Sequence, residues 1–376
     1  METANVVALN FICLLPILFC YSLPLTSSDY DVSEGLILLH VIHRHGDRTA
    51  DTTTYPNDPY KNYTFFPPGV GQLTNIGKKR MYEVGKDLRR RYNNFLGEDY
   101  YPDILYARTT DVDRTKMSLQ LSLAGLFPPD QKSQLDPQLN WQPIPYNYEP
   151  WKTDHVLGIA SVFCPKYNIL SRQYVENLNM TIKEIVLFNY LSTHTGFDLI
   201  DTIMKTTIIY SALKTQEEWG FEPPSWIPGV WEKPLKELAI KNFARLTATK
   251  ELAKLAGGFF IKKVLADTMS KINGSLIPQN RKLFLYSAHD YNLASILGTL
   301  GVFPNKLPNY GSQVIIEVRY VDGEYGMQIL FQDNEGDPSP ELLTIPGCTP
   351  FCPLNDFIKL TNEIIPEDES VCNIDV

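Results

Sequence analysis

An apolar run, GLILLHVI at positions 35–42, breaks off without transition into His43-Arg44-His45-Gly46-Asp47-Arg48. A β-branched, leucine-rich run this short reads as a strand buried on both faces, and such a strand needs helices over both sides. That excludes an all-helical chain and points to an α/β sheet whose strand ends carry polar turns. The pattern then repeats. Thr74 is placed to cap a helix reaching about residue 95, with Ile76, Met81, Val84, Leu88 and Tyr92 at helical spacing. Residues 104–107 form a short strand candidate and Arg108-Thr109-Thr110 a polar turn. Asp111-Val112-Asp113-Arg114 then opens a helix that Pro128-Pro129 ends. Towards the carboxyl end, residues 282–286 read as a strand, Ser287-Ala288-His289-Asp290 as a turn and residues 291–300 as a helix. Residues 314–320 and 326–331 read as strands paired across Asp322-Gly323.

Between these blocks, residues 165–270 are helical in pattern, interrupted by Trp219, Pro223-Pro224, Trp226, Pro228 and Trp231. At 376 residues, 44% hydrophobic and 20% charged, the chain buries a substantial core and exceeds one ordinary domain. The expected fold is α/β, a mixed central sheet flanked by helices with a smaller helical cap. Residues 30–150 and 275–376 build the α/β part, and residues 151–274 are the inserted cap. A net charge of −9 argues against a nucleic-acid partner.

Residues 6–25 are mostly apolar and give way to Thr26, Ser27, Ser28 and Asp29, so residues 1–25 read as a signal peptide cut between residues 22 and 29. An uncleaved anchor is the rival, but Asn10, Pro16 and Pro24 suit a stable spanning helix poorly. The stretch before residue 6 holds Glu2 and no lysine or arginine, unlike the usual leader. Secretion is expected, with the lysosomal lumen as the alternative and no stable membrane anchor. Three glycosylation triplets agree with export, at Asn62, Asn179 and Asn273. Removing Cys13 and Cys20 with the leader leaves Cys164, Cys348, Cys352 and Cys372, which allow three pairings. Thr349-Pro350-Phe351 is a turn that lets Cys348 close on Cys352, leaving Cys164 for Cys372; four free thiols are the other reading.

Three polar clusters stand after a strand and before a helix: His45 with Arg44 and Arg48, then Arg114, then His289 with Asp290. In open α/β sheets, ligands bind at the carboxyl ends of strands. Three arginines and two histidines converging there make an anion site, and the forked guanidinium matches a phosphate dianion. A histidine among arginines has its charged form disfavoured, so the imidazole stays neutral and nucleophilic in mild acid. Attack on phosphorus gives a phosphohistidine that water hydrolyses. The leaving oxygen needs a proton, and Asp290 is the carboxylate in the clusters without an evident structural task. The scheme needs neither metal nor cofactor, since the arginines offset the charge on the equatorial oxygens.

Arg44-His45-Gly46-Asp47-Arg48, followed far downstream by Ser287-Ala288-His289-Asp290, resembles the histidine acid phosphatase family of the prostatic and lysosomal type. The resemblance spans nearly all of the chain after the leader. It includes Gly71-Gln72-Leu73-Thr74, Thr110-Asp111-Val112-Asp113-Arg114, Trp141-Gln142-Pro143-Ile144-Pro145 and Gly347-Cys348-Thr349-Pro350-Phe351-Cys352-Pro353-Leu354. It implies a phosphoglycerate-mutase-like fold and hydrolysis of phosphate monoesters, phosphoproteins among them. His45 is then the nucleophile, Asp290 the proton donor, and Arg44, Arg48, Arg114 and His289 the phosphate ligands. Size and export resemble secreted, venom-type members. Departures are Ala50 in place of a frequent proline and Tyr291 in place of a threonine, at the pocket edge. Gln313 stands where relatives can carry a cysteine, and the mate of that cysteine near Trp219 is absent too.

Plainer roles are expected for the remaining candidates. His40, His43 and His45 have metal-like spacing, but neighbouring arginines repel a cation; His40 is a buried strand residue and His43 a pocket wall. His155 and His194 are surface or core residues. Asp111 and Asp113 are a helix cap and a buried arginine partner, and Arg89-Arg90-Arg91 is a solvated helix face. The segment 219–231 is a packed loop or a homodimer contact. Two other function classes remain, a phosphomutase or kinase-like relative and a catalytically dead binding protein. Within phosphatases the runner-up is a phytase-like or lysophospholipid-selective enzyme.

Overall fold

The computed structural model describes residues 32–198, 202–334 and 339–374. The leader expected over residues 1–25 lies outside them. The elements along the chain are β1 (Leu36–Arg44), α1 (Asn75–Leu96), β2 (Leu105–Thr110), α2 (Asp113–Leu126), β3 (Asn147–Glu149), α3 (Ala160–Phe163), α4 (Pro165–Glu176), α5 (Ile182–Thr195), α6 (Thr202–Trp219) and α7 (Lys233–Arg245). There follow α8 (Lys250–Ala256), α9 (Gly258–Ile272), β4 (Leu283–Ala288), α10 (Asp290–Thr299), β5 (Gln313–Val321), β6 (Glu324–Gln332), β7 (Glu341–Leu343), β8 (Cys352–Pro353) and α11 (Leu354–Thr361).

The sheet runs β3-β2-β4-β1-β5-β6-β7, with β8 added on β6. Strands β1, β2, β3 and β4 pair parallel, while β5 returns antiparallel on β1 and continues antiparallel to β6. This is the expected mixed sheet, and the sequence pattern explains it. Every residue of β4 is buried, as a strand covered on both faces must be. On one face Leu39, Val41, Leu285 and Ile315 pack against Met81, Val84 and Leu88 of α1 and Leu119 and Leu123 of α2. On the other, Leu38, Ile42, Val314 and Ile316 meet α9, α10 and α11 through Phe260, Val264, Leu293, Leu297 and Phe357. Helices α5, α6 and α7 share a smaller core of their own, into which Tyr55 reaches from the loop after β1.

Three local expectations change, and a fourth, the packed loop over residues 219–231, holds. Ile76 is 67% exposed; the buried stripe of α1 starts at Gly77 and includes Gly85. Glycine is required there, because a side chain at Gly85 would collide with the Ser122 carbonyl of α2, and one at Gly125 with the Tyr82 carbonyl of α1. Strand β2 continues through Arg108-Thr109-Thr110 instead of turning, since Arg108 is buried against Asp154 and pairs with Glu149 at 3.0 Å. The basic run on α1 is only partly solvated: Arg91 reaches the buried Glu317 at 3.5 Å and Arg89 donates to Gly97 O at the helix end. The 219–231 segment packs inward, with Trp219 against Phe65, Trp226 against Tyr55 and Trp231 against Tyr210.

Both cysteine pairs are bonded, Cys164 to Cys372 and Cys348 to Cys352. Among the described residues no helix is long and apolar enough to cross a membrane.

Candidate active site

Parallel pairing of β1 with β4 sets Arg44 beside Ala288, so the residues that follow each strand, His45 and His289, emerge together. Their rings meet edge-on with centroids 5.4 Å apart. His45 N donates to Ala288 O at 3.0 Å, which locks the two turns to each other. His45 Nδ1 lies 2.8 Å from Gly46 O. A carbonyl can only accept, so Nδ1 carries the proton and Nε2 keeps its lone pair. Gly46 N in turn donates to Ser118 Oγ of α2 at 3.1 Å. Burial, then the charges of Arg114, Arg44, His289 and Arg48, holds the His45 imidazole well below the usual histidine range.

The three arginines enter from three elements. Arg44, the last residue of β1, lies flat over Tyr310 at 4.2 Å, donates to Pro308 O at 2.7 Å and pairs with Asp290 at 2.8 Å. Arg48 donates to Thr49 O at 2.8 Å and to Ser211 Oγ of α6 at 2.9 Å. Arg114, in the first turn of α2, faces Asp51 at 3.3 Å. In all three the Nε atom is buried with no hydrogen-bond partner, which leaves donors for an incoming anion. Burial and the neighbouring Arg48 charge draw Arg114 down to about 10.

His289 is the N-cap of α10. Its backbone N–H donates to Asn292 Oδ1 at 3.0 Å. Because Thr115 Oγ1 donates to a carbonyl, Thr110 Oγ1 donates to Thr115, and Nε2, 3.0 Å from Thr110 Oγ1, is the donor. The chain continues from Thr110 Oγ1 to Thr115 Oγ1 at 2.7 Å and from there to Val112 O at 2.7 Å. Trp151 meets the ring edge-on at 5.4 Å, and burial holds this imidazole low as well. Asp290 follows at the first turn of the helix.

His45, Arg44, Arg48, Arg114, His289 and Asp290 are therefore gathered around the ends of β1 and β4. Asp290 has a structural partner after all, the Arg44 guanidinium. Asp111 and Asp113 are neither cap nor buried partner. Val112 is the N-cap without a side-chain bond, Asp111 pairs with Lys116, and both aspartates are exposed. His40 stacks on Phe284 with both ring nitrogens unpartnered, and His43 meets Ser122 Oγ at 3.1 Å, so neither points with His45 at a common centre. His155 packs on Phe163 and pairs with Glu369, and His194 stacks on Trp226. Tyr291 packs on Phe243 of α7 with the rings tilted, centroids 4.7 Å apart. Asp51, Ser211, Tyr310 and Thr110 escaped sequence reasoning. Only Thr110 lay in a motif; the others reach the site from distant segments. Asn62, Asn179 and Asn273 are exposed.

The chain matches the Histidine phosphatase superfamily (branch 2) over residues 35–322. Bovine (Bos taurus) prostatic acid phosphatase is 35% identical over 348 residues, 90% of this chain and 88% of the relative. Human (Homo sapiens) lysosomal acid phosphatase is 33% identical over 344 residues, 89% of this chain and 79% of the relative. Among solved structures, the apo form of Hafnia alvei phytase superposes with a TM-score of 0.65 over 92% of this chain and 99% of its own, at 16% identity, a likeness of fold. Sheet order, the paired histidine turns and the sequence match agree: the chain belongs to branch 2 of the histidine phosphatase superfamily.

Proposed function

We propose that this protein is an acid phosphatase that hydrolyses phosphate monoesters through a phosphohistidine on His45. The observation that carries this is the neutral, Nδ1-protonated His45, with its Nε2 lone pair, among Arg44, Arg48 and Arg114. The relatives named acid phosphatases support it. In the first step Nε2 attacks phosphorus and the ester P–O bond breaks. The leaving oxygen takes the proton of the Asp290 carboxyl, and the arginines hold the phosphoryl oxygens. In the second step Asp290, now a carboxylate, takes a proton from water as its oxygen attacks phosphorus. The P–N bond breaks and inorganic phosphate leaves. His289 binds a phosphate oxygen by exchanging Thr110 for it. Both disulfides and three exposed acceptor asparagines support export, to the exterior or to the lysosomal lumen.

The enzyme should release phosphate from nitrophenyl phosphate, and rapid quenching should trap a label that is acid-labile and alkali-stable. His45→Ala should abolish both while the protein still melts cooperatively. An acid-stable, alkali-labile adduct would place the phosphoryl group on a carboxylate. Asp290→Asn should lose most of a roughly 10²–10⁴-fold factor in kcat/KM on alkyl phosphates, whose alkoxide needs the proton. It should lose much less on nitrophenyl phosphate. Equal losses on both would remove Asp290 from the acid role.

A further inference from the structure

Two carboxylates sit directly on the guanidiniums that hold phosphate in the reading above. Asp290 lies 2.8 Å from Arg44, and Asp51 lies 3.3 Å from Arg114. Asp51 does little for its own loop, since its other bonds stay within the turn, to Thr52 N at 2.8 Å and Thr52 Oγ1. Burial works to raise its carboxyl, but the charges of Arg114 and Arg48 outweigh that and hold it below the usual range. It is therefore an anion at acidic pH. Gly71, at φ +67°, passes beside the pair, with the place of its missing Cβ 3.6 Å from Asp51 Cγ and 3.7 Å from Arg114 Nη1. Backbone thus closes this corner. Glu218 of α6 lies within the fields of Arg44 and Arg48 as well.

The charges decide what the corner tolerates. With both histidines neutral, Asp51 and a bound phosphate dianion already offset the three guanidiniums, before Asp290 and Glu218 are counted. A further anionic group on the organic part of the ester then meets Asp51 without compensation. We propose that Asp51, by occupying Arg114, is a specificity-determining residue that favours monoesters with a neutral or cationic organic part and disfavours polyanionic ones such as inositol polyphosphates. This rests on the phosphatase reading and names its substrate class.

Glycerol 3-phosphate and 3-phosphoglycerate differ by one carboxylate and test the idea directly. At pH 5.5 and low salt the wild type should favour glycerol 3-phosphate about fivefold or more in kcat/KM, the size expected for like charges meeting in a half-solvated site. Asp51→Asn should narrow that ratio by about threefold to tenfold, Asp51→Glu should restore it, and salt should compress it in the wild type. Asp51→Ser serves as a second neutral variant should the amide disturb folding. An unchanged ratio in an active, folded neutral variant overturns the inference alone. A wild type that releases phosphate from no ester overturns the phosphatase reading, and this inference with it.

Discussion

The sheet body and the helices α4 to α7 between β3 and β4 are built to different standards. Strands β1 and β4 are sealed by helices on both faces, and all six residues of β4 are buried. Helices α5 to α7 share one small cluster, and around them Met180, Ile182, Ile185, Val186 and Met204 remain exposed. The first region fixes side chains by packing from all sides; the second is held by fewer contacts and by the Cys164–Cys372 bond at the start of α4. The candidate chemistry hangs from the first region. The second reaches it through Ser211 on Arg48. On the function proposed, the body supplies the anion cradle and the helices contribute Ser211 at its edge.

This contrast can be broken in three ways, taken from the largest expected effect. Cys164→Ser with Cys372→Ser opens a loop with a sequence separation of 208, and should cost about 4–5 kcal/mol of unfolding free energy in urea. Opening Cys348–Cys352, with a separation of 4, should cost only about 2 kcal/mol. Equal losses would mean that the long bridge does not hold the helices to the body. Next is the reverse weakness, a fault inside the well-packed region. His40 is buried in β1 with both nitrogens unpartnered, and burial, then Lys263, lowers it from 6.5 to about 3. The folded state refuses a proton that the unfolded chain accepts, so stability is lost as pH falls from 6.5 towards 3. His40→Phe should therefore gain about 2–3 kcal/mol at pH 4.5 relative to its own offset at pH 7.5. A pH-independent difference would remove His40 from acid unfolding. The smallest effect concerns the link between the regions. Ser211→Ala should raise KM about threefold to tenfold and leave kcat within about twofold, the signature of a lost ground-state contact. A matching fall in kcat would give the helices a share in the chemical step.

The same contrast governs what the sequence disclosed. Continuous apolar runs ending in His43-Arg44-His45 and Ser287-Ala288-His289 revealed two buried strands and the turns that meet between them, because a strand covered on both faces leaves no room for polar interruption. Strand β5 obeys this only in part. Glu317 and Arg319 are buried there because they bond to each other at 2.7 Å, and Tyr92 donates to Glu317 at 2.7 Å. The Tyr92 bond crosses 225 positions and leaves no local trace. Asp51, Ser211 and Tyr310 were hidden for the same reason: each meets an arginine from another part of the chain, and its residue type alone signals an ordinary loop or helix. Arg108 misled in the opposite direction, since a charge in a run of threonines reads as a turn until Asp154 is brought beside it.

Gly46 and Gly77 limit how the family's turn can change over generations. A Cβ at Gly46 would fall 2.5 Å from Gly77 O, and one at Gly77 would overlap the backbone of Asp47. The start of α1 and the turn after β1 touch backbone to backbone, so neither glycine can be replaced while the other compensates; each side chain would need space that the other segment's backbone fills. Gly77 meets no substrate in the scheme above, yet a mutational scan should rank it with His45 among the least replaceable positions. Variation that alters preference must then enter elsewhere, at positions such as Asp51 and Ser211, where side chains rather than backbones make the contact.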